Sequence, residues 1–344
     1  MKQSVAAALL VMLFWAILPL LSLSTAGAPT ETLASASAAT APPESPEATA
    51  PPESPEAPSP APTEAAPEKA QGFDESFRLP VLQKGSLVSL DLHSYLTGVL
   101  LGEMPMSFET EALKAQAVAC RTYALRLYRH RRHGDAAICT NSNCCQAWRD
   151  PETADPADRA RAEDAVLATD GLAAYYDGAL IDATFFSCSG GRTEAAAAVW
   201  GSDFPYLQPV DSPGEEEASY YVNRRSLSLS EFKATLQQED PAVDFSGPRS
   251  GWIGAVTHTE GGGVESMVLG GRSFRGTRLR SLFSLRSTDF SLELTDTEAV
   301  FTTHGYGHRV GMSQYGANAM AKDGDDFETI LKWYYQGIEI KPAG

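Results

Sequence analysis

Residues Tyr95–Pro105 read YLTGVLLGEMP, and Ala112–Leu125 read ALKAQAVACRTYAL. Around the second stretch, Leu113, Ala117, Cys120, Ala124 and Leu127 recur at helical spacing, so one face is apolar over several turns. Ser107 is placed to cap the start, with Glu109 and Glu111 in a first turn where the helix dipole favours negative charge. The pattern predicts a helix from Ser107 to about Tyr128. Cys120 lies in the apolar stripe and reads as a small core residue. Lys114, Val118 and Arg121 share another face, four and three residues apart, which would let Lys114 and Arg121 look into one cleft.

Strand patterns surround this helix. Ser86–Ser94 (SLVSLDLHS) partly alternates and predicts a strand or strand pair. Asp155 and Pro156 predict a capped helix to about Leu167, ended near Gly171. Leu172–Tyr176 and Leu180–Ser187 read as strands about the turn Asp177-Gly178. Strands are also predicted within Trp252–Phe274 and at Glu298–Thr303. Ser313–Lys322 reads as a short helix stopped by Gly324. Asp326 then caps a last helix whose apolar residues Phe327, Ile330, Leu331, Tyr334 and Tyr335 keep a 3.6 period. Helices and strands mix without βαβ alternation, so the fold class expected is α+β.

The remainder of the 344 residues sets the context. Met1-Lys2-Gln3 precedes an apolar run from Val5 to Leu23, about long enough to span a bilayer, and Ala26-Gly27-Ala28 offers a cleavage site. Residues 1–28 are therefore expected to be a signal anchor or a cleaved signal, and the chain to be extracytoplasmic. Residues 29–72 are rich in Pro, Ala, Glu and Ser, with Ala41–Ala48 (APPESPEA) repeated as Ala50–Ala57. Such a stretch buries too little to fold and serves as an extended spacer. Globular composition runs over residues 73–342. The formal net charge of -17 excludes a nucleic-acid partner, which needs a basic face, but does not repel a neutral sugar polymer.

Four segments carry chemistry. Glu103 follows an apolar stretch, and desolvation raises a carboxyl pKa as a general acid for glycosidic cleavage requires; a Glu in a surface turn has the same local sequence. His304–Gly316 (HGYGHRVGMSQYG) interleaves glycines with His304, His308, Ser313, Gln314 and Tyr315, an inventory suited to ligand binding. Its HxxxH spacing also admits a metal, although glycines break the helix a zinc protease would need. Phe185–Thr193 (FFSCSGGRT) predicts a tight turn presenting Ser187 and Ser189. His133, Cys139, Cys144 and Cys145 match a structural zinc set, the favoured reading; the competing one is a disulfide between Cys139 and Cys144 or Cys145, which an oxidising compartment allows.

Together, GEMP with the ALKAQAVACRTYAL helix, SCSGGRT with VWG, FRGTRLRSLFSLRSTDF (Phe274–Phe290) and HGYGHRVGMSQYGANAMA (His304–Ala321) resemble the SpoIID/LytB family over roughly Phe73 to Gly337. The resemblance implies a lytic transglycosylase of cell wall remodelling in sporulation and engulfment. Its substrate would be peptidoglycan glycan strands (MurNAc-GlcNAc) whose stem peptides a partner amidase, SpoIIP-like, has removed. It implies Glu103 as the acid, no catalytic cofactor, and a structural zinc on a pattern matched by His133, Cys139 and Cys145, with Cys144 where relatives can carry His. A membrane span followed by a spacer also resembles the sporulation members. The other reading is a glycan-binding scaffold that activates the amidase.

Overall fold

A long helix with a wide apolar face needs partners on several sides. The computed structural model of the protein describes residues 72–212 and 214–343 and supplies those partners from both ends of that range. The expected anchor (1–28) and nearly all of the spacer (29–72) lie outside the described residues.

The chain enters through a short helix, α1 (Phe73–Ser76), and an antiparallel hairpin of β1 (Arg78–Gln83) and β2 (Ser86–Asp91). The hairpin turn is Lys84-Gly85, both at positive φ, as a tight two-residue turn requires. The strand expected through Ser94 stops at Asp91, because the Asp91 carboxylate accepts from Ser94 N–H at 2.7 Å and caps α2 (Leu92–Glu103). Helix α2 buries Leu92, Leu96, Val99 and Leu100 completely.

Helix α3 (Thr110–His130) begins later than the sequence pattern predicts: Glu109 is its N-cap, and Ser107 lies exposed outside it. A distant partner sets the start, since Glu109 N–H donates to Asn318 Oδ1 at 2.7 Å. Leu113, Ala117, Cys120, Ala124 and Leu127 are all buried, as the stripe predicts.

Beyond α3 come β3 (Ile138–Cys139), parallel to β1, and α4 (Pro156–Ala168), capped by Asp155 through Ala157 N–H. Then follow β4 (Leu172–Tyr176), β5 (Ala179–Leu180), β6 (Phe185–Phe186) and α5 (Ala196–Trp200). The strand predicted over Leu180–Ser187 is thus only two short pieces.

A second lobe spans β7 (Val222–Ser228), α6 (Leu229–Glu239), β8 (Ile253–His258), β9 (Val264–Leu269), β10 (Arg272–Arg275), α7 (Gly276–Leu282), β11 (Phe290–Leu294) and β12 (Glu298–His304). It has its own core of Phe232, Leu269, Leu279, Phe283 and Phe301. The lobe leaves and re-enters the frame at one place: β7 and β12 are antiparallel neighbours with Val222 opposite His304. The chain then completes the first core with β13 (Met312–Ser313), α8 (Gln314–Lys322), α9 (Phe327–Tyr334) and β14 (Glu339–Pro342). Strand β13 pairs parallel with β6, and β14 lies antiparallel to β4. Helices and small sheets without βαβ alternation make this α+β.

Arg121 belongs to this framework and not to a cleft. Its side chain is wholly buried and ion-paired with the equally buried Asp74 of α1, Nη2 to Oδ2 at 2.5 Å. Its remaining donors reach the carbonyls of Leu172 and Val166. The shared face with Lys114 does not hold either, because Val118 is buried and Lys114 pairs with Glu111 at 2.6 Å. A guanidinium can sit inside only where every donor is satisfied, and three separate segments satisfy this one.

Candidate functional site

Two glycines one turn apart on α2 create the site. A Cβ at Gly98 would fall 2.1 Å from Trp148 Nε1, and one at Gly102 would fall 2.9 Å from Ala147 C and Trp148 N. Glycine at both positions therefore lets the segment 146–148 lie directly on the helix. That contact brings Ala147 N–H onto Glu103 Oε1, the last residue of α2. Tyr95 O–H donates to Gln146 Oε1 at 3.0 Å and fixes the same segment from below.

Glu103 opens into a cavity of about 460 Å³ lined also by Cys144, Cys145, Ser187, Tyr306, His308 and Gln314. Burial pushes the Glu103 carboxyl above the usual range, and the Ala147 hydrogen bond pulls it only part of the way back. Since Ala147 donates to Oε1, a proton on this carboxyl sits on Oε2. Gln314 Nε2 donates to the Glu103 carbonyl at 3.2 Å and ties α8 to the end of α2. Among the described residues, Glu103 is the only carboxylate lining the cavity.

The remaining expected site residues divide. Ser187, His308 and Gln314 share the cavity with Glu103. His308 packs against Trp200 at 5.1 Å between ring centroids, and burial, aided by the Arg280 charge, pushes it down to about 4, so it is neutral at physiological pH. Ser313 is buried and caps α8 through Gly316 N–H, a structural use. Ser189 is buried and donates to Glu215 Oε2 at 2.8 Å. Tyr315 faces a neighbouring hollow of about 300 Å³ with Pro105 and Lys322. His304 does not line the cavity; its Nδ1 lies 3.8 Å from Asp289, so the HxxxH pair does not converge on a shared ligand. Lys114 and Arg121 are absent from the lining, for the reasons given above.

His133, Cys139, Cys144 and Cys145 do converge. Their ligand atoms lie within 4.8 Å of one another, with His133 Nε2 3.2 Å from Cys145 Sγ and 3.7 Å from Cys144 Sγ. A tetrahedral zinc with bonds of about 2.0–2.3 Å needs ligand separations of roughly 3.4–3.8 Å, so this set suits a closed, four-coordinate metal. Cys144 and Cys145 sulfurs are 4.0 Å apart, and all five cysteines are free thiols. The quartet adjoins the clamp, because Cys145 immediately precedes Gln146 and Ala147.

Sequence reasoning passed over Ala147 and Tyr123, and met Trp200 only as part of the VWG motif. An alanine that acts through its backbone leaves no side-chain signal. The glycine pair Gly98 and Gly102 was the readable sign that another segment lies on α2.

Residues 83–176 match the family described as SpoIID, stage II sporulation protein. Over 269 residues the chain is 35% identical to stage II sporulation protein D of Bacillus subtilis (strain 168), covering 75% of this chain and 76% of that protein. Identity to stage II sporulation protein D of Bacillus amyloliquefaciens is 36% with the same coverage. Similarity extends to the amidase enhancer of Bacillus subtilis (strain 168), 28% identical over 303 residues, 71% of this chain but 40% of that protein. With identity above three in ten across three quarters of both proteins, and with the GEMP glutamate seated in a cavity, the chain belongs to the SpoIID family of stage II sporulation proteins.

Proposed function

We propose that this chain is a lytic transglycosylase that cleaves peptide-stripped glycan strands of peptidoglycan during cell wall remodelling in sporulation. The observation that carries the reading is Glu103: a desolvated carboxyl with a raised pKa and, among the described residues, the one carboxylate lining its cavity. Ordinary glycosidases need two carboxylates, one of them a nucleophile or a base for water. A transglycosylase needs one. Glu103 Oε2 gives its proton to the glycosidic oxygen as the C1–O bond breaks. The resulting carboxylate takes the proton of the sugar's own 6-hydroxyl as O6 bonds to C1. A 1,6-anhydro end forms, no water is consumed, and Glu103 is protonated again.

Purified protein incubated with peptide-free glycan should release fragments 18 mass units lighter than hydrolysis products, seen by mass spectrometry. Products with ordinary reducing ends would sink the transglycosylase reading. The likeness to an amidase enhancer favours a second reading, a glycan-binding scaffold that stimulates a partner amidase. A scaffold would stimulate the amidase equally with Glu103→Gln, and would yield no anhydro ends. The setting fits an extracytoplasmic enzyme held at the membrane by residues 1–28, with residues 29–72 as spacer.

Zinc fits the His133, Cys139, Cys144 and Cys145 donors, and when bound would cross-link the loop that delivers Ala147 to Glu103. Cys139→Ser should lose the metal by elemental analysis and lower the melting temperature. Thiol titration of the unfolded, chelated protein should find all five cysteines reduced. Finding three would mean a disulfide in place of a metal.

A further inference from the structure

Arginine keeps its charge in proteins, so a guanidinium at a cavity edge with no carboxylate beside it is available to an anion. Three arginines of the second lobe are neutralised: Arg249 pairs with Asp296, Arg272 with Asp240 and Arg278 with Glu239. Arg309, beside the cavity loop, pairs with Glu194. Arg280 and Arg286 make no such pair among the described residues.

Arg286 stands against one wall of the Glu103 cavity through Tyr306, with Arg280 in electrostatic reach of the same wall. The Arg286 guanidinium carbon sits 4.8 Å from the Tyr220 ring centroid and 4.9 Å from that of Tyr306. The two tyrosines meet edge to face at 5.4 Å and are 41% and 43% exposed. Stacking on rings fixes the plane of a guanidinium without neutralising it. Arg280, half-buried, is near enough to Tyr306 and His308 to act on both electrostatically. Tyr306 and His308 line the cavity that holds Glu103. Trp200, 43% exposed and packed on His308, extends the apolar wall on which a sugar ring can lie.

We propose that Arg280 and Arg286 bind the free lactyl carboxylate of a peptide-stripped muramic acid residue and so make the chain selective for stripped strands. This rests on the glycan-cleaving reading above and names what decides its substrate. Amidase hydrolysis of the amide between lactyl group and stem peptide leaves one carboxylate on every muramic acid. In an intact strand the same position is a neutral amide, with one acceptor oxygen and an N–H that opposes the arginine donors. A carboxylate accepts charge-assisted, two-pronged hydrogen bonds from a guanidinium, and an amide does not. A stripped strand carries a carboxylate on each muramic acid and so is not the neutral polymer that a net charge of -17 leaves undisturbed; a local cationic spot offsets that repulsion.

The test is a binding measurement in the Glu103→Gln background, so that strands bind uncut. The probes are two glycan fragments of equal length, one with free lactyl carboxylates and one with those carboxylates converted to methylamides. The free acid should bind about tenfold to a hundredfold more tightly, as expected for hydrogen bonds to a charged group. Arg286→Gln and Arg280→Gln should each erode that preference and leave methylamide binding within about twofold, and Arg286→Lys should restore part of it. Arg286→Gln decides alone if Arg280→Gln does not fold. Equal binding of the two fragments, or a preference that survives both substitutions, overturns the proposal. If the unsubstituted chain cuts both strands equally, the arginine assignment fails and the Glu103 assignment stands. If it cuts neither yet keeps the binding preference, the reverse holds.

Discussion

Glu103→Gln lowers the rate of glycan cleavage by about 10²–10⁴-fold, the usual worth of a positioned general acid, without loosening the fold. Glutamine keeps the acceptor oxygen that Ala147 N–H needs, so the clamp on α2 persists. Stability should even rise at neutral pH. A buried carboxyl whose pKa is raised on folding contributes stability below its unfolded pKa, and that contribution is lost as pH rises through the folded value. Glutamine is permanently uncharged and escapes the loss. A melting temperature at pH 7 equal to or above the unsubstituted protein's, with cleavage gone, separates chemistry from folding. The same sign governs the rate. The acid acts when protonated, so cleavage falls on the alkaline side of the raised Glu103 pKa, and a Glu103→Asp variant loses rate through reach. A fall in melting temperature with Glu103→Gln would mean that the carboxylate is ionised and structural.

Asp74→Ala is expected to cost about 3–5 kcal/mol, because it leaves the wholly buried Arg121 guanidinium without its counter-charge. Against a typical total of about 5–15 kcal/mol, that is a large share of the stability, and the melting temperature should drop by roughly 10 °C. Replacing both partners with apolar residues, Asp74→Leu with Arg121→Met, should recover most of the loss, since the penalty lies in the unpaired charge. Thermal unfolding of the single and double variants is the measurement. If Asp74→Ala melts within 2 °C of the parent, water reaches Arg121 and the buried charge does not depend on its partner.

These two residues also show what a sequence discloses. The stripe on α3 was legible because five buried residues repeat at one period, and the α9 cap because Asp326 stands just ahead of an apolar run. Helix α2 was not, since Leu92–Leu101 is apolar on nearly every side and a fully buried helix has no period to read. Arg121 misled because burial of a charge depends on a partner 47 positions away, and Asp74 sits in a short helix with no pattern of its own. The site was legible in its parts, as glutamate, histidines, serines and a Cys/His quartet. Their grouping was not, because the hydrogen bond onto Glu103 comes from the backbone of Ala147, and peptide groups have no spelling. His304 and His308 look equivalent in the sequence, yet positive φ at Gly305 and Gly307 turns them to different surroundings.

The second lobe begins and ends at paired neighbours, Val222 beside His304, and Gly305 N–H donates to the Tyr221 carbonyl across the base. A stretch of gene inserted there adds a folded body without stretching the scaffold on either side. Glu103 and its glycine clamp are encoded before this lobe, Arg280 and Arg286 within it. An ancestral frame could thus trade one lobe for another and change which strands it accepts while inheriting its acid unaltered. Grafting residues 222–304 between relatives is the corresponding laboratory operation, with two junctions already held together by the sheet.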